Sequence, residues 1–430
     1  MTGIQSLEAR IALGSAFAIV GFLAASSKSI HRPTHPTFDR TVNIAFILSR
    51  LAIFFGVFFV LHLPVRGDIP AFYVPEAHLL LQHQLPYRDF PSSYAPLHTF
   101  LDAAILRLWN SPLAIIFFAI LVEFLTLPVW LRAARFFAAE RAVRIAAVLY
   151  VTSAISLQFV TIDGQDNVVT ALLLGLGVLA IARQGDMLSG ALVGFSAVLI
   201  KFLNMLFAPA FILAARGWFR WLMGFVVIVA AGYGAFALLH LPIFEPLSRE
   251  GGLRTASDLP YLLESAAGHT APMKLEDGLL GLVLLVIIAV MVRARLRART
   301  TAPLLRLAVF GCASLNLALL IFSKKSWPPY LILTLFPFCL LLGEGTRQRL
   351  RLACFAVFNV IAVTTHSIWA TIFGQFLAEP FHHALAQGQP MAIVFLITQI
   401  LLVAGYAWLL IESIDAMLSP ASTKAATAAT

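Results

Sequence analysis

Long apolar runs separated by short polar breaks set the pattern of this chain. Runs near 20 residues recur from end to end, and their spacing predicts transmembrane helices, because hydrocarbon forces every backbone group to be satisfied within its own segment. A membrane β-barrel would instead show short alternating segments. The runs place spans at 10–26, 41–63, 111–131, 145–160, 167–183, 188–200, 202–215, 219–241, 277–292, 304–322, 329–343, 352–371 and 389–412. The sixth and seventh are too short to cross a hydrocarbon core of roughly 30 Å alone, and they read as half-helices that meet at Lys201–Asn204. The expected fold is all-α and polytopic, with about 11–13 transmembrane helices.

Composition agrees with that pattern. Of 430 residues, 60% are hydrophobic and 12% charged, about half the charged fraction of an ordinary soluble domain. The net charge of +9 does not argue for nucleic acid, since the basic residues cluster between apolar runs. Lys28–Arg40, Arg132–Arg144, Arg216–Arg220, Arg293–Arg299 and Arg347–Arg351 are expected on the cytoplasmic side by the positive-inside bias. Segments 64–110, 161–166, 242–276, 323–328 and 372–388 then face outward. Within the first, 93–109 is expected as a surface helix that starts at Pro96 and presents Leu97, Leu101, Ile105 and Leu108 on one face. Cys312, Cys339 and Cys354 are scattered in apolar runs and form neither a disulfide framework nor a zinc site. Three parts are expected: an N-terminal helix with its basic loop (1–40), a membrane domain (41–412) and a disordered tail (413–430).

Candidate chemistry concentrates in the outward segments. Asp68 stands just past the end of a span, where partial desolvation would raise its pKa toward the working range of a general base; helix capping ahead of Pro70 is the competing role. Glu76 and Asp89 are rival carboxylates, the latter a partner for Arg88. Tyr87, Phe90 and Tyr94 are candidates for a sugar or lipid platform, or interfacial aromatics. Thr161–Asn167 packs two carboxylates and two amides into seven residues around Gly164, more than a turn and a cap require. Lys201 lies in apolar sequence, where an ionisable group is costly and marks function by default; Arg50, nearer a span end, is expected to snorkel. Lys324 and Lys325 face outward against the positive-inside trend and are candidates to hold an anion. No metal-ligand spacing, P-loop or dinucleotide fingerprint is present.

The order of these features resembles the GT-C glycosyltransferases, most of all glycosyltransferase family 87. The resemblance rests on Gly67-Asp68, Tyr73, Pro86-Tyr87-Arg88-Asp89-Phe90 and Tyr94-Ala95-Pro96; then Gly164-Gln165-Asp166-Asn167; then Gly190, Gly194 and Lys201; and last Ser323, Lys325, Tyr330 and Pro337. It covers about residues 41–412. Two departures stand out: Ser326-Trp327-Pro328-Pro329 occupies a place where relatives often carry histidine, and the N-terminal span is additional. The resemblance implies a GT-C-type fold in the plasma (inner) membrane with an extracytoplasmic site. It implies transfer of a sugar, with mannose expected, from a polyprenyl-phosphate donor to a glycan or glycolipid acceptor, with inversion and no required metal or other cofactor. Asp68 would be the base, and Lys201, Lys324 and Lys325 the phosphate ligands. Asp166, Gln165 and Tyr94 would position sugar, with Tyr73, Tyr87, Arg88, Asp89 and Tyr330 completing the substrate site. The competing expectation is a secondary transporter or a flippase for lipid-linked sugars, whose sites also sit at broken helices.

Overall fold

The computed structural model describes residues 3–32, 34–344, 348–372 and 378–419. The expected tail 413–430 is corrected at its start, where residues 413–418 are the last turns of the helix Pro390–Leu418; its part beyond Ser419 and the basic residue Arg347 lie outside the described residues. The described residues are helical with no strand, only an isolated bridge between Pro86 and Phe90.

Nine helices among the described residues are long and apolar enough to cross a membrane: Leu7–Ser26, His35–Val60, Pro112–Ala134, Glu140–Ile162, Trp218–Leu238, Met273–Arg297, Thr301–Phe322, Gln348–Ala370 and Pro390–Leu418. Four shorter apolar helices, Asn167–Ala182, Asp186–Leu199, Phe202–Ala214 and Pro328–Gly343, fall where the remaining spans were expected. The architecture is that of a multi-pass membrane protein. Thr301–Phe322 is buried from Leu304 to Ile321 and runs through the core of the bundle, whereas Met273–Arg297 and Trp218–Leu238 keep most of their apolar side chains on the outside, as helices against lipid do.

The connections sort into two ends. At one, arginines bond across helices: Arg135 holds Asp39 and Glu140, Arg306 holds Glu344, and Arg351 holds Glu412. We call this the arginine-rich end. The other end carries residues 61–111, 163–166, 239–272 and 323–327, and also the beginning of the first helix, where Arg10 Nη1 lies 3.0 Å from Asp163 Oδ1.

The helix pair around Lys201 explains its own shortness. Asp186–Leu199 has 14 residues, about 21 Å of helix. It rises from the arginine-rich end and breaks at Lys201, whose backbone is extended (φ −149°, ψ 137°). A tight 3-10 turn over Phe202–Phe207 and the helix Ala208–Ala214 lead back, and the Gly217 amide donates to Asp186 Oδ2 at 2.7 Å. The two pieces therefore form a hairpin. Lys201 is at its tip, level with the opposite end's loops, rather than in a mid-membrane cavity. Trp218–Leu238 packs closely on the rising arm: a Cβ at Gly190 would meet the Trp221 carbonyl oxygen at 1.9 Å, and one at Gly224 the Met187 carbonyl oxygen at 2.0 Å. Such close backbone approach is how membrane helices gain packing where no hydrophobic drive exists between them.

Arg50 corrects an expectation. It does not snorkel but is fully buried in mid-bundle. Its Nη2 donates to Ser156 Oγ at 2.6 Å, Ser156 Oγ donates to Glu123 Oε1 at 2.5 Å, and Arg50 Nε stands 3.8 Å from Glu123 Oε2. The Phe46 ring covers the guanidinium at 4.8 Å. A carboxylate on the neighbouring helix removes the reason to reach for water.

Candidate functional site

Asp68 and Asp166 each occupy the position before a helix, yet neither side chain caps it. Both are thereby free for other contacts. Asp68 follows Gly67 at the end of the first long loop's entry and precedes a wide π-type turn over Ile69–Tyr73, an irregularity that recurs at functional positions. Gly164 has φ +61°, a left-handed turn open to glycine. A Cβ there would meet Ile69 Cδ1 at 2.5 Å and Ile116 Cγ1 at 2.9 Å. The 163–167 turn therefore rests directly on the residue after Asp68, and Gln165 Nε2 donates to Asp68 Oδ2 at 3.3 Å.

From Asp166 a chain of alternating charge runs inward. Lys201 Nζ donates to Asp166 Oδ1 at 3.2 Å. His98 Nε2 lies 3.1 Å from Asp166 Oδ2, and His98 Nδ1 lies 3.3 Å from Asp102 Oδ2. Tyr94 stacks on the His98 imidazole with ring centres 4.2 Å apart, and Tyr73 packs against both rings. The Lys201 ammonium lies over the faces of Tyr94 and Tyr330 at 5.4 and 5.5 Å, a distance at which a ring quadrupole attracts a cation. The long loop is locked onto the hairpin tip by its backbone: Ala95 N donates to Ile200 O and Leu97 N to Val198 O. Behind it, Glu76 Oε2 accepts from Ser92 at 2.7 Å and from Thr99 at 3.2 Å.

These surroundings set the protonation states. Burial pushes the half-buried Asp68 carboxyl above the usual carboxylate range, aided by the Asp166 charge, while Lys201, the Gln165 amide and Lys325 pull it back. Burial also acts on Asp166, but Lys201 and His98 outweigh it and hold this carboxyl down at about 2. Burial alone would lower His98; the Asp102 and Asp166 carboxylates on its two nitrogens raise it instead. Burial lifts Asp102 to about 7 against the pull of His98. Two carboxyls that both feel the Lys201 charge thus sit on opposite sides of the ordinary value, a separation that acid–base sites use.

The structure brings together Asp68, Tyr73, Tyr94, Gln165, Asp166, Lys201 and Tyr330. Lys325 belongs to the rim: Asp68 and Lys201 both feel its charge, and its ammonium contacts Glu250. Burial, with Lys201 beside it, lowers Lys325 to about 7, while the Glu250 contact favours the charged form. Lys324 is buried and committed to Asp277 at 2.7 Å. Tyr87 supports rather than lines the site; its hydroxyl donates to the Tyr94 carbonyl and its ring packs on Phe236. Arg88 and Asp89 do not join it. They pair with each other at 2.8 Å on an exposed turn, where Asp89 also accepts from Leu85 N, because local bonding satisfies both in water.

His98 and Asp102 escaped the sequence reading. The helix was expected at 93–109 with Leu97, Leu101, Ile105 and Leu108 as its working face. It runs from His98 to Leu108 and buries His98, Thr99, Asp102, Ala103 and Leu106 instead, leaving Leu108 90% exposed. The available signal was a His and an Asp four residues apart on one face of an otherwise apolar helix. Among the described residues no group of three or more His, Cys, Asp or Glu side chains is placed to hold a metal ion. The chain matches no protein-family model and no curated protein sequence.

Proposed function

We propose that this protein is a membrane glycosyltransferase that takes a sugar from a polyprenyl-phosphate donor and delivers it to a hydroxyl of a glycan or glycolipid. One observation carries the reading: a half-buried carboxyl, raised in pKa, lies within the influence of two lysines at one end of a membrane bundle. Asp68 is the base in this reading. It takes the proton of the acceptor hydroxyl as that oxygen attacks the anomeric carbon from the face opposite the leaving phosphate. The bond from the anomeric carbon to the phosphate oxygen breaks, and polyprenyl phosphate leaves with the electron pair. A single displacement inverts the anomeric centre. Lys201 and Lys325 supply positive charge for the phosphate as it leaves, and Tyr94 and Tyr330 offer ring faces to sugar. Gln165 orients Asp68, and Asp166 orients Lys201. The positive-inside bias supports an extracytoplasmic site, opposite the arginine-rich end.

A second reading is a proton-coupled transporter or flippase. The buried series Asp102, His98, Asp166 and Lys201 favours it, because such alternating ionisable chains also carry protons across membranes. Purified protein in liposomes, supplied with radiolabelled polyprenyl-phosphate-mannose and a lipid extract, separates the two. Label appearing in a new glycan or glycolipid, and lost in folded Asp68→Asn, supports transfer. Donor that crosses the bilayer unchanged in a pH-dependent manner would replace transferase by flippase.

A further inference from the structure

A cavity of about 750 Å³ opens at the arginine-rich end, far from the site above, where the first helix finishes against the start of Gln348–Ile372. Lys28, Arg141 and Arg349 supply its charge, and Ala25, Leu350 and Leu352 its apolar wall. Among the described residues no carboxylate lines it. The contrast with nearby arginines is informative. Arg135, Arg144, Arg306 and Arg351 each hold an acidic partner, and Glu140, next in sequence to Arg141, is already taken by Arg135 and Arg144. Arg141 instead donates to the neutral Gln348 amide oxygen at 2.6 Å, which orients its guanidinium while leaving its charge uncompensated. Ser26, also in the lining, keeps its hydroxyl oxygen buried without a hydrogen-bond partner among the described residues. Leu350, 61% exposed, extends the apolar wall outward.

We propose that this cavity binds the phosphate headgroup of an anionic phospholipid, with its acyl chains along the Leu350 side. Three exposed cations with no acidic partner among the described residues make this mouth favourable to an anion. Ser26, with its unpartnered hydroxyl, stands in the wall, and the volume suits a headgroup with the first part of its chains. Basic pockets between membrane helices recognise anionic headgroups in this way. The first helix, which the proposed reaction does not use, thereby acquires a role as one wall of a lipid site. The proposal is independent of the transferase reading.

The test uses the full-length protein in nanodiscs of phosphatidylcholine with increasing phosphatidylglycerol, reading the melting temperature and the lipid that survives delipidation. Phosphatidylglycerol should raise the wild-type melting temperature and remain bound. In K28Q/R141Q/R349Q its apparent affinity should fall by about tenfold or more, with the melting temperature in pure phosphatidylcholine unchanged. K28Q/R349Q, which keeps the Arg141–Gln348 bond, should show a smaller loss and guards against misfolding. R293Q/R297Q/R299Q removes as much charge elsewhere at this end and should leave the affinity near that of wild type. Equal affinity in wild type and K28Q/R141Q/R349Q would overturn the proposal, and so would an equal loss in the R293Q/R297Q/R299Q control. Protection by inorganic phosphate as strong as that by phosphatidylglycerol would replace the lipid by a small anion.

Discussion

Two buried clusters of charge in this protein behave differently. In mid-bundle, Arg50, Glu123 and Ser156 are fully enclosed by three crossing helices, with an aromatic ring over the guanidinium. At the loop end, Asp102, His98, Asp166 and Lys201 are also buried or nearly so, but the series runs through Gln165 to Asp68, which keeps part of its surface open. The first cluster closes on itself and has no route to a ligand. The second leads from a closed interior to an accessible carboxyl. Burial of charge therefore does not by itself mark function; what separates the two is whether the network ends at a surface.

The widest expected gap between the clusters is in activity. Asp68→Asn should lower transfer by about 10²–10⁴-fold while leaving the melting temperature near wild type. A melting temperature that falls with activity would make Asp68 structural and erase the contrast. The rate should also fall on acidification while ordinary carboxyls are still ionised, because the base must be charged and burial raises its pKa.

Next comes the closed cluster. Arg50→Leu strands Glu123 in the bundle and should cost about 3–5 kcal/mol of stability, and Arg50→Leu/Glu123→Leu should recover most of it. Chemical denaturation in detergent reads both. Retained stability with lost transfer would show that the mid-bundle cluster, too, serves the reaction.

A smaller effect separates the inner and outer members of the open network. Asp102 titrates near 7 in the folded protein against 3.8 as its ordinary value. The folded state therefore binds the extra proton between these values, and stability falls as pH rises through that window. The raised His98 acts in the same direction, its contribution being lost as pH rises through its folded pKa. Melting temperature should decline from pH 5 to pH 8, and Asp102→Asn should flatten the decline. An unchanged slope would remove Asp102 from the titrating network. The smallest effect belongs to the exposed pair: Asp89→Asn should change both stability, by less than about 0.5 kcal/mol, and transfer very little. A large loss of transfer would bring the turn back to the site.

Much of this protein was written in local sequence. Hydropathy located the nine long helices and the four short ones, because each segment must satisfy its own backbone in lipid whatever its neighbours do. The break at Lys201 was legible for the same reason, and a tight turn at Gly164 was legible because glycine permits one. So was the polar richness of Thr161–Asn167. Tertiary structure alone decided who meets whom. His98 reaches Asp166 across 68 positions and Lys201 reaches it across 35; Arg50 meets Ser156 across 106. Sequence could not tell that Asp68 and Asp166 decline their capping roles, that Lys324 is spent on Asp277, or that the polar face of the His98–Leu108 helix is the buried one. Those outcomes depend on which surface another part of the chain brings up, and a hydrophobic pattern records the cost of burying a charge but not the identity of the partner that offsets it.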